Sequence, residues 1–146
     1  VPILLYDPTR TLGGIVHAGW KRTVLQIPEK AVSFLQDQFR CTPSALIAGI
    51  GPSIGPDDYE VGEEVVEAVY HSFGKDAFSL MVQKNSSTFF DLWAANKKAL
   101  QNAGVEQIET AGISTYQHTE DWFSHRKEHG QTGRFGAIFA LPGGVD

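Results

Sequence analysis

Apolar residues along the chain recur at two spacings, one typical of strands and one typical of helices. Short apolar runs between turn-forming residues predict strands at 3–6, 14–17, 45–50, 78–82, 108–113 and 135–141. Apolar residues three or four positions apart predict amphipathic helices at 28–39, 61–73 and 91–103. Strands and helices roughly alternate, but two hairpin-like pairs argue against a purely parallel sheet. The pattern therefore predicts a mixed-sheet α/β or α+β domain with flanking helices.

Residues at the ends of these segments favour the same boundaries. Asp7-Pro8 is a turn signal after the first strand. Asp91 can cap the third helix, while Gly74 and Gly104 follow the second and third helices, where glycine commonly ends a helix. No repeat, low-complexity tract or linker divides the sequence. We therefore expect the 146 residues to form one domain.

Composition narrows the class of protein. The chain has 12 Lys+Arg against 17 Asp+Glu, a net charge of −5, which argues against nucleic acid as a partner. Cys41 is the lone cysteine, so an intrachain disulfide and a Cys-rich metal knuckle are excluded. With no apolar run near the roughly 20 residues of a membrane span and no signal peptide, we expect a cytoplasmic protein without membrane contact. The chain opens on Val1 and enters a strand directly, which indicates a piece of a longer protein.

His17, in the run His17-Ala18-Gly19-Trp20, is the first candidate for chemistry. It follows a predicted strand and precedes a turn of small residues, a place that would aim its imidazole into a cleft. An unperturbed pKa of about 6.5 suits either a metal ligand or a general base. The alternative is a hydrogen-bonded core histidine beside Trp20.

The loop at residues 51–56 contains two Gly-Pro pairs and the candidate binding residue Ser53. Its irregular backbone offers N–H groups for an anion, but it lacks the Gly-Lys-Ser/Thr ending of a Walker loop. A rigid turn between strand and helix is the alternative. The acidic residues after it are interpreted mainly as solvated charge and as partners of the helix dipole, with a hard-cation site as the alternative. They are Asp57, Asp58, Glu60, Glu63 and Glu64.

A basic cluster interrupts this acidic chain near its end. Two arginines, a lysine and two histidines lie within the ten positions 125–134. Arginine presents paired donors that match a carboxylate or phosphate. Arg126 and Arg134 are therefore candidate phosphate-binding residues, and a solvated loop is the alternative.

Histidine spacing alone completes no metal site. His125 and His129 have His-x-x-x-His spacing, but Gly130 and Gly133 indicate a loop there. A catalytic zinc usually takes three protein ligands, and a multicopper centre needs more histidines with a Cys–His pair. The residues by themselves therefore predict an α/β domain with a candidate anion-binding cleft.

Five motifs in a fixed order resemble the YfiH family, also called the laccase-domain or multicopper polyphenol oxidase family. The resemblance extends over essentially the whole chain. The motifs are His17-Ala18-Gly19-Trp20, Ile50-Gly51-Pro52-Ser53-Ile54-Gly55-Pro56, Tyr59-Glu60-Val61-Gly62, Asp91-Leu92-Trp93-Ala94-Ala95-Asn96, and Phe123-Ser124-His125-Arg126 with Thr132-Gly133-Arg134.

The resemblance implies a zinc-type site made by two histidines and one cysteine, with copper as the alternative metal. Only the histidine of the His-Ala-Gly-Trp motif maps onto this chain, at His17. The family's Asp-Cys motif would lie just before Val1, and Cys41 does not match it. This implies that the chain is the C-terminal part of a longer YfiH-like domain.

The resemblance also implies a function. We expect a metal-dependent purine nucleoside phosphorylase and adenosine deaminase that acts on small molecules, a purine nucleoside and phosphate. The enzymatic alternative is a copper-dependent polyphenol oxidase acting on phenols. The third hypothesis is that the chain is a non-catalytic fragment or an interaction module. Lys21-Arg22 stands where the family often has Arg-Gly, which weakens the transfer of substrate detail.

Overall fold

Seven strands and five helices are present among residues 1–141, the part of the chain that this computed structural model describes. The strands are β1 (Pro2–Asp7), β2 (Leu12–His17), β3 (Ile47–Ile50), β4 (Glu60–Val61), β5 (Met81–Lys84), β6 (Ser87–Phe90) and β7 (Gln107–Thr110). The helices are α1 (Trp20–Val24), α2 (Ile27–Phe39), α3 (Glu63–Phe73), α4 (Ala77–Leu80) and α5 (Leu92–Asn102). No helix in this range is long and apolar enough to cross a membrane.

A four-stranded mixed sheet in the order β2-β1-β3-β7 forms the centre of the fold. Strand β1 is antiparallel to both β2 and β3, whereas β3 and β7 run parallel. Ile3, Leu5 and Asp7 alternate along β1 with almost no exposure, so one face of the sheet is buried. The prediction of a mixed sheet with flanking helices is confirmed.

Helices α2 and α5 pack against each other and against this sheet. Pro28 lies in the first turn of α2, where its missing N–H costs nothing, and Val32 and Leu35 point into the core. The Asp91 carboxylate accepts the Ala94 amide at 2.8 Å and caps α5. Each large side chain buried in this way contributes about 1.5–3 kcal/mol.

The second sheet is small and has the order β4-β6-β5. Strands β5 and β6 form a hairpin whose turn residues, Asn85 and Ser86, both have positive φ. The predicted strand at 78–82 is wrong over its first half. Ala77 and Leu80 are buried at helical spacing in α4, and the strand begins only at Met81.

Residues 111–141 contain no helix and no named strand. The predicted strand at 108–113 is realised only as β7 and ends before Gly112, which has a φ of +66°. The predicted strand at 135–141 is wrong. No strand in the described part of the chain pairs with it, and Ile138 in its middle is 92% exposed. Its apolar residue Phe139 is accommodated by side-chain packing and not by strand pairing, since the Phe139 ring packs on Tyr6 with centroids 6.0 Å apart.

Candidate functional site

A cleft of about 660 Å³ lies where residues 111–141 pack against the main sheet. The four site residues predicted from the sequence line it together: His17, Ser53, Arg126 and Arg134. They come from β2, from the loop after β3 and from two places in the irregular segment. The fold therefore brings together residues that are up to 117 positions apart in the sequence (134 minus 17).

His17 is the last residue of β2 and lies opposite Pro2 of β1. Its side chain is exposed to the cleft, so the alternative of a core histidine does not hold. Partial burial, with the Arg22 guanidinium as a smaller cause, lowers the pKa of the His17 imidazole. His17 is therefore biased toward the neutral form, which can accept a proton or bind a metal.

The turn after His17 is held in place by a buried polar contact between helices α1 and α5. Thr23 and Asn96 are both fully buried, and the Thr23 hydroxyl lies 3.1 Å from the Asn96 side-chain oxygen. The Asn96 amide donates in turn to the Leu92 carbonyl at 2.7 Å. Helix α1 is thereby tied to α5, which holds the His-Ala-Gly-Trp turn in place.

The Gly-Pro loop is a rigid turn and not an open nest of amides. The amides of Gly51, Ser53 and Gly55 already donate to Pro2, Ile113 and the Ser114 hydroxyl. These bonds favour the structural interpretation of the loop, because N–H groups that are already bonded cannot also bind an anion well.

Ser53 contributes a side chain to the cleft, and a hydrogen bond from Trp93 orients its hydroxyl. The indole N–H of Trp93 donates to Ser53 Oγ at 2.7 Å, and Ser53 is only 8% exposed. Since the oxygen accepts from Trp93, its own hydrogen is free to turn toward a ligand.

The acidic run beyond the loop serves the fold. The Asp58 carboxylate accepts from the Ser114 hydroxyl at 2.6 Å and from Gln117 at 3.1 Å. Asp57 pairs with Lys84. Glu63 and Glu64 occupy the first turn of α3, where they complement the helix dipole. The interpretation as capping and solvated charge fits these contacts better than a cation site does.

Arg126 reaches the cleft from the irregular segment. Its guanidinium carbon lies 4.9 Å from the centroid of the Tyr59 ring, and its Nη1 donates to the Glu60 carbonyl at 2.7 Å. Burial is the main reason that the pKa of Tyr59 is raised, and the Arg126 charge opposes it. Arg126 is thus attached to the edge of the second sheet.

Arg134 bonds mainly within its own segment. Its Nη1 donates to the Gly133 carbonyl at 2.8 Å, and its Nη2 lies 3.5 Å from His125 Nδ1. The segment is closed by Glu128, whose carboxylate accepts from the Ser124 amide at 2.8 Å and from the Thr132 hydroxyl. These hydrogen bonds, with Thr132 the larger contributor, lower the pKa of Glu128. The segment is therefore ordered by turns, and three of its basic side chains, those of His125, Arg126 and Arg134, line the cleft.

The charge of the cleft is opposite in sign to that of the chain. Two arginines and two histidines line it, whereas none of its lining residues is Asp or Glu. The chain as a whole carries −5. Aromatic side chains form the apolar part of the wall: Trp20, Tyr59, Phe123 and Phe135. This combination suits a ligand with an anionic group beside a flat apolar group.

The lining residues that were not predicted as site residues include His125 and Tyr59. His125 immediately precedes Arg126 in a motif that was singled out, so its position gave a usable signal. Tyr59 opens the motif Tyr59-Glu60-Val61-Gly62, but neither its residue type nor its neighbours indicated that its ring would form part of a cleft wall. Its role depends on Arg126, which is 67 positions away (126 minus 59).

The described residues do not complete a metal site. No group of three His, Cys, Asp or Glu side chains among residues 1–141 could hold a metal ion. Cys41 is buried beside Asp7 at the far end of β1 from His17, about 17 Å away along the strand. Burial and the Asp7 carboxylate raise the pKa of the Cys41 thiol, so it is a poor ligand as well as a distant one. A metal on His17 would need further ligands from elsewhere.

Comparison with known proteins places the chain in a family. The family model described as multi-copper polyphenol oxidoreductase laccase matches residues 1–142. A purine nucleoside phosphorylase of Deinococcus radiodurans is 36% identical over 141 residues, which is 97% of this chain and 53% of that protein. The adenosine deaminase RL5 of an unknown prokaryotic organism is 38% identical over 142 residues, 92% of this chain and 52% of that protein.

The fold is shared with a solved structure as well. The crystal structure of the hypothetical protein YfiH of Bacillus licheniformis superposes with a TM-score of 0.85 at 32% identity. The match covers 90% of this chain and 51% of that one. The chain thus spans about half the length of the relatives that it matches.

Proposed function

The chain belongs to the multi-copper polyphenol oxidoreductase laccase family, and from that premise we propose that it carries part of the active site of a purine nucleoside phosphorylase with adenosine deaminase activity. Relatives of about 35% identity bear these two names. The observation that carries the proposal is the cleft, which is cationic and free of carboxylates although the chain is acidic. Phosphate would occupy the basic side, and the purine would pack against the aromatic wall.

Each site residue has a role in phosphorolysis under this proposal. A phosphate oxygen attacks C1′ of the ribose, the bond from C1′ to the purine nitrogen breaks, and the purine leaves with a proton. Arg126 and Arg134 bind and orient the phosphate through charged hydrogen bonds. The Ser53 hydroxyl donates to the nucleoside. His17, biased toward its neutral form, is a metal ligand or a general base.

We also propose that zinc, or copper in its place, binds at His17 only where further ligands complete the site. A bound metal would supply a positive charge beside the reacting groups. Since the described residues provide His17 alone, no step of the reaction is assigned to a metal.

Phosphate dependence of inosine turnover by the full-length protein tests the assignment of Arg126. Arg126→Ala should raise the KM for phosphate by about 10- to 100-fold, because a charged hydrogen bond is lost. The KM for phosphate of Arg126→Lys should lie between those of the wild type and Arg126→Ala. Lys30→Ala, which removes one exposed positive charge that does not line the cleft, serves as the control. An unchanged phosphate dependence in Arg126→Ala would refute the assignment.

A copper-dependent polyphenol oxidase is the second candidate, favoured by the description of the matching family. Five histidines and one cysteine in the sequence argue against a full multicopper centre. Turnover of a phenolic dye in the presence of copper, measured beside inosine turnover on the same preparation, separates the two reactions.

A further inference from the structure

Arg126 depends on contacts outside its own segment for its position. Residues 111–141 contain no helix and no named strand, so no backbone ladder fixes its side chain. Two contacts do so: the ring of Tyr59, the residue just before β4, at 4.9 Å, and the carbonyl of Glu60 in β4 at 2.7 Å. The first holds the guanidinium over the ring, and the second fixes the position of Nη1.

Tyr59 is itself firmly placed. It is 8% exposed, and its ring packs against the fully buried Phe90 with centroids 6.4 Å apart. The Phe90 amide donates to the Tyr59 carbonyl at 3.0 Å. Glu60 then pairs with Phe89 across β4 and β6. Tyr59, although it precedes β4, is therefore held in place by β6 through both its main chain and its ring.

The geometry leaves part of Arg126 available to a ligand. A guanidinium has five N–H donors in one plane. Glu60 takes a bond from Nη1, and the guanidinium carbon lies over the Tyr59 ring, 4.9 Å from its centroid. No other acceptor for Arg126 is found among residues 1–141. Its remaining N–H donors can therefore serve a ligand in the cleft, which both Tyr59 and Arg126 line. Contact with the ring restricts the movement of the guanidinium.

We propose that Tyr59 is a positioning residue for Arg126, and that the affinity of the cleft for phosphate requires its aromatic ring but not its hydroxyl. The inference rests on the proposed function insofar as phosphate is the ligand of Arg126. The hydroxyl is dispensable because no hydrogen bond to it is found among residues 1–141. The ring is required because it orients the guanidinium and contributes a cation–π contact.

Three substitutions in the full-length protein separate the contributions of the Tyr59 ring, its hydroxyl and its apolar volume to phosphate affinity. Tyr59→Phe keeps the ring, so it should bind inorganic phosphate within about twofold of wild type. Tyr59→Leu and Tyr59→Met keep apolar bulk without a ring, and they should bind phosphate about three- to tenfold more weakly. Calorimetric titration with inorganic phosphate gives the affinity directly. Circular dichroism identifies any variant that fails to fold. Tyr59→Met is included beside Tyr59→Leu because the flexible Met side chain can fill a gap that Leu would leave.

A double-mutant cycle decides whether Tyr59 acts through Arg126. In an Arg126→Ala background, Tyr59→Leu or Tyr59→Met should cause no further loss of phosphate affinity. Independent, additive losses would overturn the inference and would indicate direct contact with the ligand. Equal weakening by Tyr59→Phe and Tyr59→Leu would overturn it as well.

Failure of the proposed function looks different. Wild-type protein that binds phosphate with the expected pattern of variants but does not cleave inosine would contradict the phosphorylase and leave the positioning role intact. If the wild-type protein cleaves inosine and Tyr59→Leu keeps full phosphate affinity, the positioning role of Tyr59 is contradicted and the phosphorylase is not. Wild-type protein that binds no phosphate would overturn both.

Discussion

Residues 1–110 and residues 111–141 line the same cleft by different structural means. The first region holds every strand and helix of the described chain, and it presents His17 and Ser53 from a strand end and a rigid turn. The second region has turns, one isolated bridge at Ser114 and no helix or named strand, yet it supplies Arg126 and Arg134. A strand ladder fixes His17, and main-chain bonds to Ile113 and Thr115 fix Ser53, whereas side-chain contacts fix the guanidinium groups of Arg126 and Arg134. The positively charged side of the cleft therefore has less structural support than the side that carries His17.

This difference has an energetic meaning. A strand residue is fixed by several cooperative bonds, so one substitution rarely displaces it. A side chain on an irregular segment is fixed by contacts worth about 0.5–2 kcal/mol each, and loss of one changes the populated positions. Substitutions in the first region should therefore change global stability, and substitutions at the junction should change ligand affinity.

Zinc binding is expected to show the largest effect, because the first region supplies only one ligand. The 146-residue chain should retain far less than one zinc per chain after dialysis, since a lone imidazole cannot replace three protein ligands. Elemental analysis of the dialysed protein measures this. A longer chain that carries the histidine and cysteine implied by the family resemblance should bind zinc tightly.

His17→Ala is the control for that measurement. It should leave the low zinc content of the 146-residue chain unchanged and abolish tight binding in the longer one. One tightly bound zinc per 146-residue chain that disappears in His17→Ala would show that the account of the site is wrong.

Asp7 tests the first region away from the cleft. Its fully buried carboxylate accepts the Thr9 and Arg10 amides at 2.9 and 3.1 Å and pairs with the Arg10 guanidinium. Asp7→Ala should lower the free energy of unfolding by about 2–4 kcal/mol, because buried donors lose their partner. Urea unfolding measures this loss. Asp37→Ala, at an exposed position, should change it by less than about 0.5 kcal/mol.

The same carboxylate predicts a dependence of stability on acid. Burial alone would raise the pKa of Asp7, but hydrogen bonds from Cys41, Arg10 and Thr9 outweigh it and lower the pKa. A lowered folded-state pKa means that the stabilisation is complete above about pH 4 and is lost as the pH falls through the folded value. Asp7→Asn should therefore show a flatter loss of stability below about pH 4 than wild type. Parallel curves for the two proteins would contradict this.

How far the sequence predicts this molecule depends on how local the cause of each feature is. The helix at Leu92–Asn102 was predictable because its cap, its apolar spacing and its terminal glycine all lie within about one segment. Residues 135–141 were predicted as a strand from their apolar content, but they pair with no strand among residues 1–141. Strand pairing depends on tertiary contacts that a local apolar pattern does not report.

The site shows the same limit. His17, Ser53, Arg126 and Arg134 were each found from local chemistry or motif, and their meeting in one cleft follows only from the fold. Tyr59 was missed because its contact with Arg126 joins two distant regions. A sequence motif identifies residues of a suitable chemical type, whereas packing between distant regions decides which of these residues line the same cleft.

Ser114 tests the junction between the two regions. Its hydroxyl accepts the Gly55 amide at 3.2 Å and donates to Asp58 at 2.6 Å, at a residue that is 5% exposed. Ser114→Ala should cost about 1–2 kcal/mol of stability, because a buried amide and a carboxylate lose their partner. It should also speed hydrogen exchange of the Gly55 amide. Ser79→Ala, whose hydroxyl bonds at an exposed site, should do neither.

Ser53 gives the smallest expected effect and the finest test, because its hydroxyl faces both a framework residue and the cleft. Ser53→Ala removes the acceptor of the Trp93 indole N–H and should cost about 0.5–1.5 kcal/mol. Trp93→Phe removes the same bond from the other side and leaves the hydroxyl in place. If Ser53 binds the nucleoside, Ser53→Ala should raise the KM for inosine about threefold, and Trp93→Phe should raise it less. Equal effects of the two substitutions on that KM would make Ser53 a framework residue, so that the nucleoside would be bound by the aromatic wall without it.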